Sequence, residues 1–189
     1  MSEPESKAVL FNTVVEVLRE TTSPAAFQAL LAALPPETAQ LVERPPLPVA
    51  WLPHTHSFAL VRSACAVLYG GDEERTSDLA RRAVLRDLNS LYRLFIKLSS
   101  PQYVIDRATR MWETYWRNNG TVRVEREGPG STLVHYEGMA HATSLFWSMQ
   151  CGSLRGVMEA TGVQGIEVRI IEGRNDPNRC IVRARWRER

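Results

Sequence analysis

CIVRARWR, residues 180–187, alternates Cys180, Val182, Ala184 and Trp186 with Ile181, Arg183, Arg185 and Arg187. Period two with one apolar and one basic set is the pattern of a half-buried strand. Immediately before it, Ile166, Val168 and Ile170 alternate with Glu167 and Arg169, and Asn175-Asp176-Pro177-Asn178 supplies a turn between the two runs. Upstream, Val122 and Val124 alternate with Arg123 and Glu125, and Gly128-Pro129-Gly130 turns the chain into a second run, Thr132 to Glu137. Between these pairs, Thr143 or Ser144 opens a helix to about Ala160. Residues 121–186 therefore read strand, strand, helix, strand, strand, and they close a sheet over a helix-rich first half.

In that first half, Val9, Leu10, Val14, Val17 and Leu18 recur at helical spacing, and Ser23-Pro24 supplies a cap and first-turn proline for a helix to Leu34. Three prolines in Arg44-Pro45-Pro46-Leu47-Pro48 make an extended connector, which Trp51 is expected to pin to the body. A helix from about Ser57 stops at Gly70-Gly71. A long helix from Thr76 or Ser77 to about Leu98 precedes one from Ser100-Pro101 to Asn118-Asn119-Gly120, and the two are expected to form an antiparallel pair. The fold class is α+β: a helix-rich N-terminal half packed on a four-stranded, mostly antiparallel sheet of two hairpins. Residues 1–55 read as a helical extension with a Pro-rich connector, and 56–189 as the core of one domain.

Composition narrows the function. The 189 residues are 44% hydrophobic, with 23 basic and 21 acidic residues, so no strong field draws the chain to nucleic acid or to an anionic membrane. Cys65, Cys151 and Cys180 are an odd set without close spacing, which speaks against a disulfide framework. No apolar run approaches the roughly 20 residues that span a bilayer, and the chain reads as cytoplasmic. Neither a Gly-x-Ser-x-Gly elbow, a phosphate loop nor a dinucleotide glycine pattern is present, so no enzyme activity is expected.

Ser100-Pro101, Trp112, Tyr115, Asn119-Gly120, Gly138, Gly152, Gly156, Glu159 to Gly162, and Gly173 to Cys180 with Trp186 together resemble an uncharacterised domain family expanded in myxobacteria. That family is similar, more distantly, to the vinyl-4-reductase domain, whose fold is shared by small subunits of the TRAPP tethering complex and by sensor domains of phenol-responsive activators. The resemblance implies a ligand pocket between helices and sheet, or a dimerising adaptor. In the phenol-sensing members, cysteines in the closing strand pair help to build a zinc site. Here Cys180 matches one of them, Glu172 stands at the other, and Cys151 is a stand-in, so Cys151, Glu172 and Cys180 are weak metal candidates. Buried thiols are the favoured reading, and no cofactor is expected, with zinc the minor alternative.

Phe95, Trp112, Tyr115, Trp116, Tyr136, Phe146 and Trp147 gather on elements that face the sheet, and form either a filled aromatic core or the wall of a pocket. Asp87, beside the apolar stripe of the long helix, joins the pocket candidates; Arg107 or Arg110 is its expected partner if it is structural. His54, His56, His135 and His141 lack a metal-ligand set and read as exposed or capping histidines. Arg183, Arg185 and Arg187 are expected to pair with Glu125, Glu127 and Glu167 across the sheet, and nucleic acid is not an expected partner. The sequence thus favours a non-enzymatic sensor or adaptor that binds a small apolar or aromatic molecule and signals to a protein partner. Its alternative is a structural interaction module, homodimeric and without a ligand.

Overall fold

The computed structural model describes residues 3–87, 99–140 and 142–187. Its N-terminal part runs β1 (Glu5–Lys7), α1 (Ala8–Thr21), α2 (Pro24–Ala32), α3 (Pro36–Glu43), β2 (Trp51–Pro53), α4 (His54–Tyr69) and α5 (Glu73–Asp87). Then follow α6 (Pro101–Ile105), α7 (Ala108–Tyr115), β3 (Trp116–Arg117), β4 (Thr121–Gly128), β5 (Ser131–Glu137), α8 (Ser144–Ala160), β6 (Gln164–Glu172) and β7 (Cys180–Arg187).

The α+β reading and its two hairpins are observed: the main sheet has the order β4-β5-β7-β6, antiparallel throughout. Val134 faces Val182 and Tyr136 faces Cys180 across the central pair. The alternation in β7 does what its period implies, burying Cys180, Val182, Ala184 and Trp186. On the other face Arg183 reaches Glu127 through two bonds of 2.8 Å. The Asp176 carboxylate accepts the Asn178 and Arg179 amides and so closes the turn before β7.

Three helix starts and one helix end follow the sequence. Ser23, Ser100 and Thr143 each accept an amide from three residues on, and Gly70 ends α4 in the left-handed conformation. α1 is different, because it has no side-chain cap. The connector caps it instead: the Ala8 amide donates to the Ala50 carbonyl at 2.8 Å, the Val9 amide to that of Pro48 at 3.0 Å, and the Asn12 side chain to that of Pro46 at 2.9 Å. Trp51 does pin this segment, with Lys7 and Arg117 over its ring.

Two expectations change. α5 starts at Glu73 rather than at Thr76 or Ser77, because the Asp72 carboxylate accepts the Glu74 and Arg75 amides. The helix expected from Pro101 to Asn118 is broken after Ile105 and gives way at Trp116 to β3, which pairs with β1. Its partner, Glu5 and Ser6, lies over a hundred residues away and leaves no periodic trace. With β2, these short strands form a second sheet, of order β2-β1-β3. The C-terminal half of the long helix lies outside the described residues, as does its antiparallel pairing there.

Two large apolar cores and one small cluster, of Val61, Cys65 and Leu145, result among the described residues. One joins the sheet to α8 through Trp147, Val134, Val182, Tyr136 and Met158; the other joins α1 to α5 and the helices between them through Phe11, Leu18, Leu30, Leu60 and Leu79. Where α5 crosses α8, a Cβ on Gly152 would overlap the Ser77 carbonyl oxygen, and one on Gly156 would lie 2.8 Å from that of Arg81. Two glycines one turn apart therefore allow the helix backbones to touch.

Candidate functional site: an apolar chamber with one imidazole

Between the two cores lies a cavity of about 120 Å³ walled by α1, α4, α5 and α8, with Trp116 of β3 at one side. Its walls are mainly apolar: Phe11 and Val14 from α1, Phe58 and Val61 from α4, Leu145 and Phe146 from α8. Polar groups enter singly, among them Thr13, His54, Ser57, Asp87, Gln150 and Ser153. No lysine or arginine is among its described lining residues.

His54 is the chemically distinctive member. Pro53 ends β2, and the His54 amide, as the first of α4, donates to the Pro4 carbonyl at 2.9 Å, which locks the strand-to-helix junction. The ring then points among aromatics: Trp116 edge-on at 4.8 Å between centroids, Phe146 at 5.5 Å and Phe58 at 6.2 Å. Its Nδ1 is buried without a hydrogen-bond partner. Burial pushes the imidazole pKa down to about 4, so it is neutral at physiological pH. The expectation of an exposed or capping histidine is corrected here, because Trp116 and Phe146, remote in sequence, close over the ring. Among the others, His56 bonds Thr38 at 3.0 Å and His135 is buried with its Nε2 3.1 Å from Glu125, while His141 lies outside the described residues.

The aromatic and acidic candidates separate into groups. Asp87, Trp116 and Phe146 line the chamber. Trp112, Tyr136 and Trp147 are buried in the sheet core, where Trp147 donates its indole N–H to the Asp176 carbonyl. Tyr115 is half-buried at the end of α7, and Phe95 lies outside the described residues. Asp87 is exposed on its outer side, and its carboxyl pKa is raised by lost hydration and then by the Glu16 charge, the opposite of what a close arginine does. Arg107 instead lies over the Tyr103 ring.

The weak metal trio does not assemble: Glu172 pairs with Arg179 at 3.0 Å, and among the described residues no group of three or more His, Cys, Asp or Glu is placed to share an ion. Burial pushes the Cys151 and Cys180 thiols up to about 12, which suits inert core groups. No described helix is long and apolar enough to cross a membrane.

No family model and no curated protein matches the chain. Solved structures do. The Fe(II) unliganded H-NOX protein from K. algicida superposes with a TM-score of 0.68 at 10% identity over 97% of both chains. An oxygen-binding H-NOX domain related to soluble guanylate cyclases, in its oxygen complex, gives 0.68 at 11% over 96% of this chain and 95% of that one. A structure from work on heme distortion in the H-NOX family gives 0.64 at 12%, again over 96% and 95%.

The likeness establishes an H-NOX fold along nearly the whole chain. It replaces the expected vinyl-4-reductase and TRAPP architecture and the implied membership of the myxobacterial family. The reason is physical. Several of the residues behind that resemblance are glycines: Gly120, Gly138 and Gly173, at positive φ, and Gly152 and Gly156, at a helix crossing. They fix backbone geometry and carry no ligand chemistry. The same comparisons overturn the expectation of no cofactor or zinc, and of a small apolar molecule as the ligand or no ligand at all, since the matched fold is one studied for its heme.

Proposed function

We propose that this chain is a sensor domain of H-NOX architecture that seats a heme group in the chamber, with His54 as its protein ligand. The observation that carries this reading is the neutral imidazole with an unshared ring nitrogen on the wall of an apolar cavity. Neutral imidazole is the form that metal takes, and a pKa of about 4 removes proton competition at physiological pH. Bound there, heme would supply an iron able to take a small gaseous ligand.

The donor and the walls fit such a group. The lining is mainly aromatic and aliphatic, and coordination would satisfy a nitrogen that is otherwise stranded. The space fits only in part: about 120 Å³ resembles the roughly 150 Å³ cavity that holds one benzene. Seating a porphyrin thus requires the walls around His54 to give way, Trp116 and Phe146 first.

The test is a titration of the purified protein with hemin, followed in the Soret band and by tryptophan fluorescence. A saturable one-to-one complex is expected, with affinity at least about tenfold weaker in a folded His54→Ala variant. Absence of saturation, or equal binding and equal spectra in the variant, refutes the assignment.

A further inference from the structure

Among the described lining residues of the chamber, only Trp116 lies outside the four helices, which run for 14 to 17 residues each. Trp116 sits on β3, which holds β1 by two registered pairs, Ser6 with Trp116 and Glu5 with Arg117. A helix wall retreats only by uncovering its buried side, Phe11 and Leu18 on α1 or Trp147 on α8, whereas Trp116 is already partly exposed. The segment around it is a loop with a fixed base. Buried Trp112 donates its indole N–H to the carbonyl of buried Asn119 at 3.2 Å, and a Cβ on Gly120 would overlap the Glu137 carbonyl oxygen, so the chain is anchored on both sides of residues 113–118.

β1 is anchored as well. It pairs with β2 over three residues, the His54 amide bonds Pro4 just before it, and α1 follows directly. What joins the loop to this post lies at the surface: Arg117 pairs with Glu5 and covers the Trp51 ring at 4.6 Å, and the Asn118 side chain donates to the Glu3 carbonyl at 3.1 Å. Arg117 and Asn118 are exposed, so their bonds compete with water and contribute little. We propose that residues 113–118 are the door of the chamber, latched by the Arg117–Glu5 and Asn118–Glu3 contacts. A guest too large for about 120 Å³ enters when β3 leaves β1 and Trp116 swings off the His54 ring, whose centroid is 4.8 Å away. That the guest is a heme rests on the reading above; the opening does not.

The experiment measures access to His54 on the full chain without added heme. Diethyl pyrocarbonate acylates neutral imidazole, and tandem mass spectrometry separates His54 from His56, which is bonded to Thr38 and serves as the internal reference. The door is locked by a disulfide in Glu5→Cys with Arg117→Cys, paired across β1 and β3, and is loosened by Arg117→Ala. The lock is expected to slow His54 acylation at least about tenfold, with recovery on reduction, because only the open population reacts. Arg117→Ala is expected to speed it about two- to fivefold, the worth of an exposed ion pair, and His56 should change in neither form. Hemin uptake, measured next, should follow the same order of rates. An unchanged His54 rate in the locked form or in Arg117→Ala overturns the proposal, and so does a lock that slows His56 equally, since this marks a general stiffening. Gated acylation of His54 without any hemin uptake supports the door and refutes the heme assignment alone.

Discussion

Acid should loosen this protein through His54, because folding depresses its pKa. The imidazole titrates near its ordinary 6.5 in the unfolded chain and near about 4 in its aromatic cage. A base whose pKa is depressed by folding contributes full stability above the unfolded value, and that contribution is lost as pH falls from 6.5 toward 4, because only the unfolded chain then takes the proton. Each pH unit in this window costs about 1.36 kcal/mol, so passing from about pH 7.5 to about pH 4.5 removes roughly 2–3 kcal/mol. Carboxylates titrate over part of the same range, so the wild type alone is not diagnostic. The variant His54→Leu keeps the apolar volume and removes the titration. Urea midpoints of both proteins at the two pH values give the answer. The wild type should lose roughly 2–3 kcal/mol more than the variant, and at neutral pH the variant should be at least as stable, since it no longer buries an unpaired nitrogen. Parallel pH profiles would show that the ring is not caged, and would remove the basis for a neutral ligand in the chamber.

Gly152→Ala should lower the melting temperature although alanine is the better helix former by about 1 kcal/mol, because its methyl group would displace the Ser77 carbonyl where α5 meets α8. Gly156→Ala should cost less, and calorimetry of the two variants checks both the sign and the order. Iodoacetamide at about pH 8 should spare Cys151 and Cys180 in the folded protein and label all three cysteines in urea, which mass spectrometry reads directly. A thiol raised from 9.0 to about 12 is roughly a thousandfold poorer in thiolate, and prompt labelling of either residue in the folded state contradicts that environment.

The sheet was legible because its signal is local: in β7 every second residue is apolar, and the burial of Cys180, Val182, Ala184 and Trp186 follows directly. Caps were legible for the same reason, as at Ser100-Pro101 and Thr143. What escaped depended on distant partners. β1, β2 and β3 are two or three residues long and exist because Ser6 meets both Leu52 and Trp116. The chamber escaped similarly. Trp116 and Phe146 were among the aromatic candidates, yet nothing near them in sequence points to His54, whose surroundings come from α4, β3 and α8. The one local hint was Pro53-His54 after a short apolar run, a strand-to-helix junction that fixes where the ring starts and not where it points.

α1 precedes its cap in sequence: its first amides are satisfied by carbonyls of Pro48 and Ala50, about forty residues later. During synthesis the first helix therefore emerges before its cap exists. Until the connector follows, Ala8 and Val9 offer their N–H groups to water, and the apolar side of α1, with Phe11 and Leu18, has no cover. The proline run suits this late arrival: it costs little chain entropy to set in place, and its own nitrogens carry no hydrogen to compete for those carbonyls. The cap can then close once residue 50 has emerged, but the layer is complete only when Leu60 of α4 and Leu79 of α5 cover Phe11 and Leu18, which makes the connector the first step of that assembly rather than a spacer between helices.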